Sequence, residues 1–233
     1  MANENAKIDK DKLLHSLKNV LDGEISLKKD ISLNAWLELK KAVYPINNYI
    51  TTELTIKFIN KLNLIFKNTR DVMGTILEDD LKALKEYYGK LNVNANGYDF
   101  IAQIPELRKS FPPITAEVKA NIPYDIKKYG SSQKSGLIKD AEGLSKHDEE
   151  QKDKSEPTKT IKKREKHNPT DDYKFLVVLD YNEGEYDSKS AVNDLKTILT
   201  KDQKVIDVEI VDLDNPQEIT KDKIYIVMLG IND

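Results

Sequence analysis

Six acidic residues near the end of the chain are the side chains whose types and spacing lend themselves to chemistry. Asp180 closes an apolar run, Glu183, Glu185 and Asp187 follow it, and Asp212 and Asp214 close a second run. If the two runs are parallel neighbouring strands, these carboxylates gather at the carboxyl edge of one sheet. That is where α/β proteins place ligands, and oxygen donors of this kind suit Mg²⁺. Asp180, Glu183, Asp212 and Asp214 are therefore the candidate metal residues, for phosphoryl-transfer, nuclease or nucleotide-handling chemistry. Against this reading, acidic residues are common in exposed turns, Asp187 serves as a helix cap, and no lysine or histidine partner is specified by spacing.

Other chemistry is poorly served. The chain has no cysteine, which excludes disulfides, thiolate nucleophiles and cysteine-ligated metal sites. Of the three histidines, His147 and His167 fall in a stretch read as a tether, leaving His15 on a helix. A Ser-His-Asp arrangement or a histidine-rich metal site is disfavoured. No phosphate-binding glycine loop follows the strands, and no cofactor is expected. Tyr87, Tyr88 and Tyr98 lie near Lys82, Lys85 and Lys90, a pattern suited to base stacking with a basic fringe. Helical spacing nevertheless claims Tyr88 for the core, and a net charge of −3 supplies no field that attracts nucleic acid.

The elements that must position these residues fall into two parts. Leu13, Leu14, Leu17, Val20 and Leu21 recur at helical spacing, and a second helix carries Trp36, Leu37, Leu39 and Val43 up to Pro45. From Ile46 to about Lys67, Ile46, Ile50, Leu54, Phe58, Leu62 and Ile65 form one stripe, widened by Tyr49, Ile56, Ile59 and Phe66. So wide an arc belongs at the centre of a bundle. A fourth helix, about Glu78 to Leu91, turns Leu81, Leu84, Tyr88 and Leu91 inward. Asn96-Gly97 then reads as a turn, and the prolines at 105, 112 and 113 mark short irregular pieces. Residues 8–125 are accordingly read as an all-α helical bundle.

Between about 126 and 172 the large apolar residues thin to Leu137, Ile138, Leu144 and Ile161, too few to offset about 1–2 kcal/mol of backbone ordering per residue. This interval is read as a flexible, disordered charged linker, acidic in its first half and basic in its second. After it, residues 173–233 read as a small α/β module of strand, helix, strand and strand. Lys174 to Asp180 and Ile224 to Leu229 are apolar on both faces, the helix from Ser188 buries Ala191, Val192, Leu195, Ile198 and Leu199, and Asp207 and Glu209 leave one side of the middle strand wet.

Tyr173-Lys-Phe-Leu-Val-Val-Leu, Ser188 and Ala191 opening a helix, Val211-Asp-Leu-Asp-Asn-Pro-Gln217 and Asp222-Lys-Ile224 resemble the first strand-helix-strand half of KaiB-type, thioredoxin-like proteins. The resemblance spans residues 173–224 and implies a non-catalytic protein-binding module. It departs at Ile224-Tyr-Ile-Val, where that family carries a proline before its third strand, and without cysteine no redox role transfers.

One helix covers one face of a three-stranded sheet, so the other face of this module needs a cover. Leu176, Val178, Tyr225, Val227 and Leu229 are the residues expected to meet a protein partner or a second copy there. The overall expectation is a non-enzymatic protein-protein interaction protein, an adaptor or assembly subunit, with Mg²⁺-dependent chemistry at the acidic edge as the alternative. The polar N-terminus and the absence of a long apolar run point to a cytoplasmic protein with no membrane span.

Overall fold

The computed structural model describes residues 50–72, 74–90, 98–123, 127–145, 169–181, 187–201 and 207–230. The chain divides into two compact units, Met1–Pro45 and Ile46–Asp233, and all the described residues belong to the second. The two helices expected before Pro45, with Trp36, lie outside them, so the bundle reading is assessed only from residue 50 onward.

Residues 50–65 form α1, whose Leu54, Phe58, Ile59, Leu62 and Ile65 are buried as their spacing requires. The chain then reverses through Gly74, whose φ of 78° is the left-handed conformation that a side chain would strain. Helix α2, Glu78–Lys90, opens with Glu78, Asp79 and Asp80 against the positive end of its dipole. Asp80 is buried and accepts from Leu77 N–H at 3.2 Å and from the Arg108 guanidinium, whose Nε lies 3.1 Å away. The Arg108 hydrogen bond holds the Asp80 carboxyl below its ordinary range.

Five strands follow: β1 (Phe100–Ile101), β2 (Ile114–Lys119), β3 (Tyr173–Asp180), β4 (Val208–Ile210) and β5 (Ile224–Gly230). They form one sheet in the order β1-β2-β3-β5-β4, with β1 antiparallel to β2 and every other pairing parallel. Helix α3, Ser131–Ser145, leads from β2 towards a 3₁₀ turn at Pro169–Asp171, and α4, Ser188–Lys201, lies between β3 and β4.

The sheet is covered on both faces. On one, Phe58, Ile59, Leu62 and Phe66 of α1 and its end, with Leu81, Leu84 and Tyr88 of α2, share a core with Phe100, Ala116, Phe175, Val177, Tyr225 and Val227. On the other, Leu137, Ala141 and Leu144 of α3 and Ala191, Val192, Leu195 and Leu199 of α4 pack with Leu176, Val178, Ile224 and Ile226. The described residues are thus a mixed α/β sandwich with the sheet in the middle. This explains why β3 and β5 read as continuous apolar runs. The edge strand β4 keeps two of its three residues only partly buried, in line with its alternation.

Three expectations are corrected. Residues 100–101 and 114–119, placed in an all-α bundle, are strands of the same sheet as residues 173–230. Residues 131–145, placed in the flexible linker, form α3. A narrow stripe of Leu137, Ala141 and Leu144 suffices to hold it because the sheet supplies the rest of the apolar surface. The remainder of that linker, 146–168, lies outside the described residues. Finally, Leu176, Val178, Tyr225, Val227 and Leu229 are all buried, at no more than 1 % exposure, and belong to opposite faces of the sheet. Of the candidate covers, the N-terminal helices, a second copy or a partner, it is the chain's own helices that enclose these residues.

Gly136 sits on the exposed side of α3, and nothing lies within 4 Å of where its Cβ would be. Gly136→Ala is expected to raise stability by about 0.5–1 kcal/mol, measurable by urea titration, because alanine loses less backbone freedom on entering a helix. Among the described residues, no helix is long and apolar enough to cross a membrane.

Candidate active site

The β1–β2 pair brings together polar side chains that sit far apart on a linear reading. β1 is held between β2 and the Tyr88 hydroxyl of α2, which donates to the Ile101 carbonyl at 2.8 Å and accepts from the Ile101 N–H at 2.6 Å. Tyr88 thereby acts as a substitute strand partner on the outer edge of β1. Asp99 precedes β1, opposite the end of β2. Its Oδ2 accepts from the Val118 N–H at 2.9 Å.

Along β2 the side chains alternate. Ile114, Ala116 and Val118 enter the α1/α2 core, so Thr115, Glu117 and Lys119 share the face that α3 covers. Thr115 donates its hydroxyl to the buried Asp172 carboxylate. Beyond it, the Lys119 ammonium lies 2.9 Å from Glu117 Oε2, 3.3 Å from Asp99 Oδ2 and 3.3 Å from Asp140 Oδ2 of α3. Asp99 and Glu117 are each only 8 % exposed, whereas a quarter of the Lys119 side chain reaches solvent.

The electrostatics follow from this crowding. Burial, reinforced by the neighbouring Asp99 carboxyl and a hydrogen bond to it, pushes Glu117 up to about 8 from an ordinary value of 4.5. Both carboxyls converge on the one ammonium of Lys119. Burial pulls the Lys119 ammonium down, but Asp99 and Glu117 outweigh it and hold it above its ordinary value. A network of this composition costs desolvation that an apolar cluster would avoid, and perturbed groups so arranged point to a functional site.

Carboxylate oxygens are the donors that a hard divalent cation takes. Among the described residues no three histidine, aspartate or glutamate side chains gather as a metal cage. Mg²⁺ does not need one, since it commonly takes one or two carboxylates and completes its shell with water and substrate phosphate oxygens. Asp99 and Glu117 are two carboxyls on either side of one ammonium, that of Lys119.

The acidic edge read from the sequence is arranged differently. Asp180 ends β3, while Asp212 and Asp214 lie beyond β4, and β5 runs between those two strands, so the two groups are not neighbours. Asp212 Oδ1 accepts from the Asp214 N–H at 3.0 Å and serves its own turn. Glu183 lies outside the described residues. Near Asp180 the buried Tyr129 hydroxyl has no hydrogen-bond partner among the described residues, and burial together with Asp180 raises it to about 12. The proposed stacking tyrosines are also engaged: Tyr88 is in the core, and Tyr98 donates to the Gly143 carbonyl at 3.2 Å.

The sequence reading missed Asp99, Glu117, Lys119 and Asp140. The available signal was the alternation Ile114-Thr-Ala-Glu-Val-Lys119, with an acid and a lysine two residues apart on one face, preceded by Asp99 just after the Asn96-Gly97 turn. Comparison with family models, with curated proteins and with solved structures returned no match, so neither the KaiB-type resemblance nor this site is accompanied by a relative.

Proposed function

We propose that this protein is a divalent-cation-dependent phosphodiesterase, with Asp99, Glu117 and Lys119 as its catalytic residues. The observation that carries the reading is a pair of nearly dry carboxyls that converge on a lysine partly open to solvent. Asp99 and Glu117 would hold the cation. A Mg²⁺ ion held by them would supply Lewis-acid polarisation of the phosphate and a more acidic water. Lys119 would place an ammonium beside the negative charge that develops on the phosphoryl oxygens. The Val118 N–H fixes the orientation of Asp99, and α3 shields the buried side of the cluster.

The interaction-protein reading was built on an uncovered apolar sheet face. That face is enclosed, and among the described residues the large apolar side chains left exposed are Leu77 and Ile122.

The test is cleavage of single- and double-stranded DNA, of RNA and of bis(p-nitrophenyl) phosphate by the full chain, with Mg²⁺ or Mn²⁺ and with a chelator. Cation-dependent hydrolysis is expected, with Asp99→Asn slower by about 10²-fold or more and weaker in cation binding by calorimetry. No cleavage together with no millimolar cation binding would overturn the assignment.

A further inference from the structure

The connection between β1 and β2, residues 102–113, is longer than the about two to five residues that a hairpin needs. It curls back on itself. Its own backbone holds that shape: the Ile104 N–H donates to the Ala102 carbonyl at 2.9 Å, that of Leu107 to Ile104 at 3.1 Å and that of Phe111 to Arg108 at 3.0 Å. The curl forms an open pocket of about 610 Å³, within the size range of small-molecule sites. Because β1 and β2 are antiparallel, it lies at the other end of the pair from Asp99 and Lys119.

The pocket is apolar where it is buried and cationic where it meets solvent. Ile104 and Phe111 are buried in its lining, and the rings of Pro112 and Pro113 stiffen the wall. Arg108 and Lys109 are the charged side chains that line it, while Glu106, the acid of this loop, lies outside the lining. Arg108 is held in place: its Nε lies 3.1 Å from Asp80 Oδ1, and its Nη2 donates to the Thr75 carbonyl at 2.7 Å. Nη1 keeps its N–H donors unengaged among the described residues. The Lys109 ammonium likewise has no ion pair among the described residues.

We propose that this pocket binds a small carboxylic acid with an apolar body, the acid group paired with Arg108 Nη1 and the Lys109 ammonium and the body lodged against Ile104 and Phe111. Charge complementarity decides the class. Two free cationic groups match the two oxygens of a carboxylate, whereas a phosphate dianion brings a third oxygen and a second charge that they leave unmet. Arg108 is already fixed by Asp80, which is itself buried, so little ordering of that side chain opposes binding. The site is independent of any cation at Asp99 and Glu117.

The probe is phenylbutyrate, added to the full chain and followed by calorimetry and by backbone amide shifts, with phenylbutyramide and phenylpropylphosphonate as comparators. A dissociation constant of about 1 mM or below is expected, with saturable shifts centred on residues 102–113. The neutral amide should bind at least about tenfold more weakly. Lys109→Gln should weaken phenylbutyrate about three- to fivefold with melting unchanged, since an exposed ammonium contributes modestly. Arg108→Lys, which keeps a cation for Asp80 but loses the fork, should weaken it at least about tenfold. If Arg108→Lys does not fold, Lys109→Gln and the amide decide the matter by themselves. Wild-type affinity in the folded variants, an amide that binds as tightly as the acid, or a phosphonate that binds more tightly would each overturn the proposal. So would the absence of saturable shifts at residues 102–113 with the acid in millimolar excess.

Discussion

Glu117→Gln is expected to make the protein more stable and inactive at once. The folded-state carboxyl titrates near 8 and an exposed one near 4.5, so between these values the native state holds a proton that the unfolded chain has released. Stability contributed by this site therefore falls as pH rises from about 4.5 to about 8, and is flat beyond. Lys119 adds no slope in that window, being protonated in both states. Glutamine keeps the shape without the charge. The variant should match wild type near pH 5 and exceed it by a few kcal/mol at pH 8, since each tenfold change in proton affinity between the folded and unfolded chain is worth about 1.4 kcal/mol. Melting temperature against pH checks this, and a variant with the wild-type slope would place the buried proton elsewhere. Cleavage by the same variant should drop at least about 10²-fold. Mg²⁺ should raise the wild-type melting temperature more at pH 8 than at pH 6, since the cation displaces the proton, and should do little for Glu117→Gln.

Phe58→Ala is expected to cost about 3–5 kcal/mol, enough to unfold a large share of the molecules of an ordinary domain. Phe58 is fully buried on α1, with its ring centroid 5.5 Å from Phe100 and 5.2 Å from Phe175. It therefore joins α1 to the edge strand β1 and to the central strand β3, and no neighbouring backbone can collapse into the space without disturbing the sheet. Asn60→Ala, two residues away on the exposed side of α1, should change stability by less than about 0.5 kcal/mol. Chemical denaturation of both variants is the measurement, and similar small effects would contradict the packing described.

The legibility of this fold from sequence followed the distribution of apolar side chains. β3 and β5, each apolar along its length, and α1 and α4, with broad stripes, could be read because their burial is written in large residues. β2 could not, because Thr115, Glu117 and Lys119 give it the pattern of a half-wet strand although all three lie beneath a helix. α3 escaped for a related reason: Ala141 carries a third of its buried stripe yet has too little surface to register beside the lysines and glycines around it. The candidate site shares both blind spots. Its residues come from the strand and the helix least marked by hydrophobicity, and their meeting depends on a β1–β2 pairing and a β2–α3–β3 crossover that local periodicity does not encode.

The β2–β3 register also bears on what the chain is as a physical object. Ile114 to Lys119 pair with Tyr173 to Val178 across residues 146–168, and the Tyr173 N–H donates to the Pro113 carbonyl at 2.9 Å. The joint between the halves is a parallel ladder buried under helices on both sides. Among the described residues neither half has a closed core alone: the first lacks the central strands β3 and β5, and the second lacks three of the four described helices that roof the sheet. A chain opened genetically between residues 145 and 169 is expected to assemble from its two polypeptides into one folded body, with Asp99, Glu117, Lys119 and Asp140 all on the first.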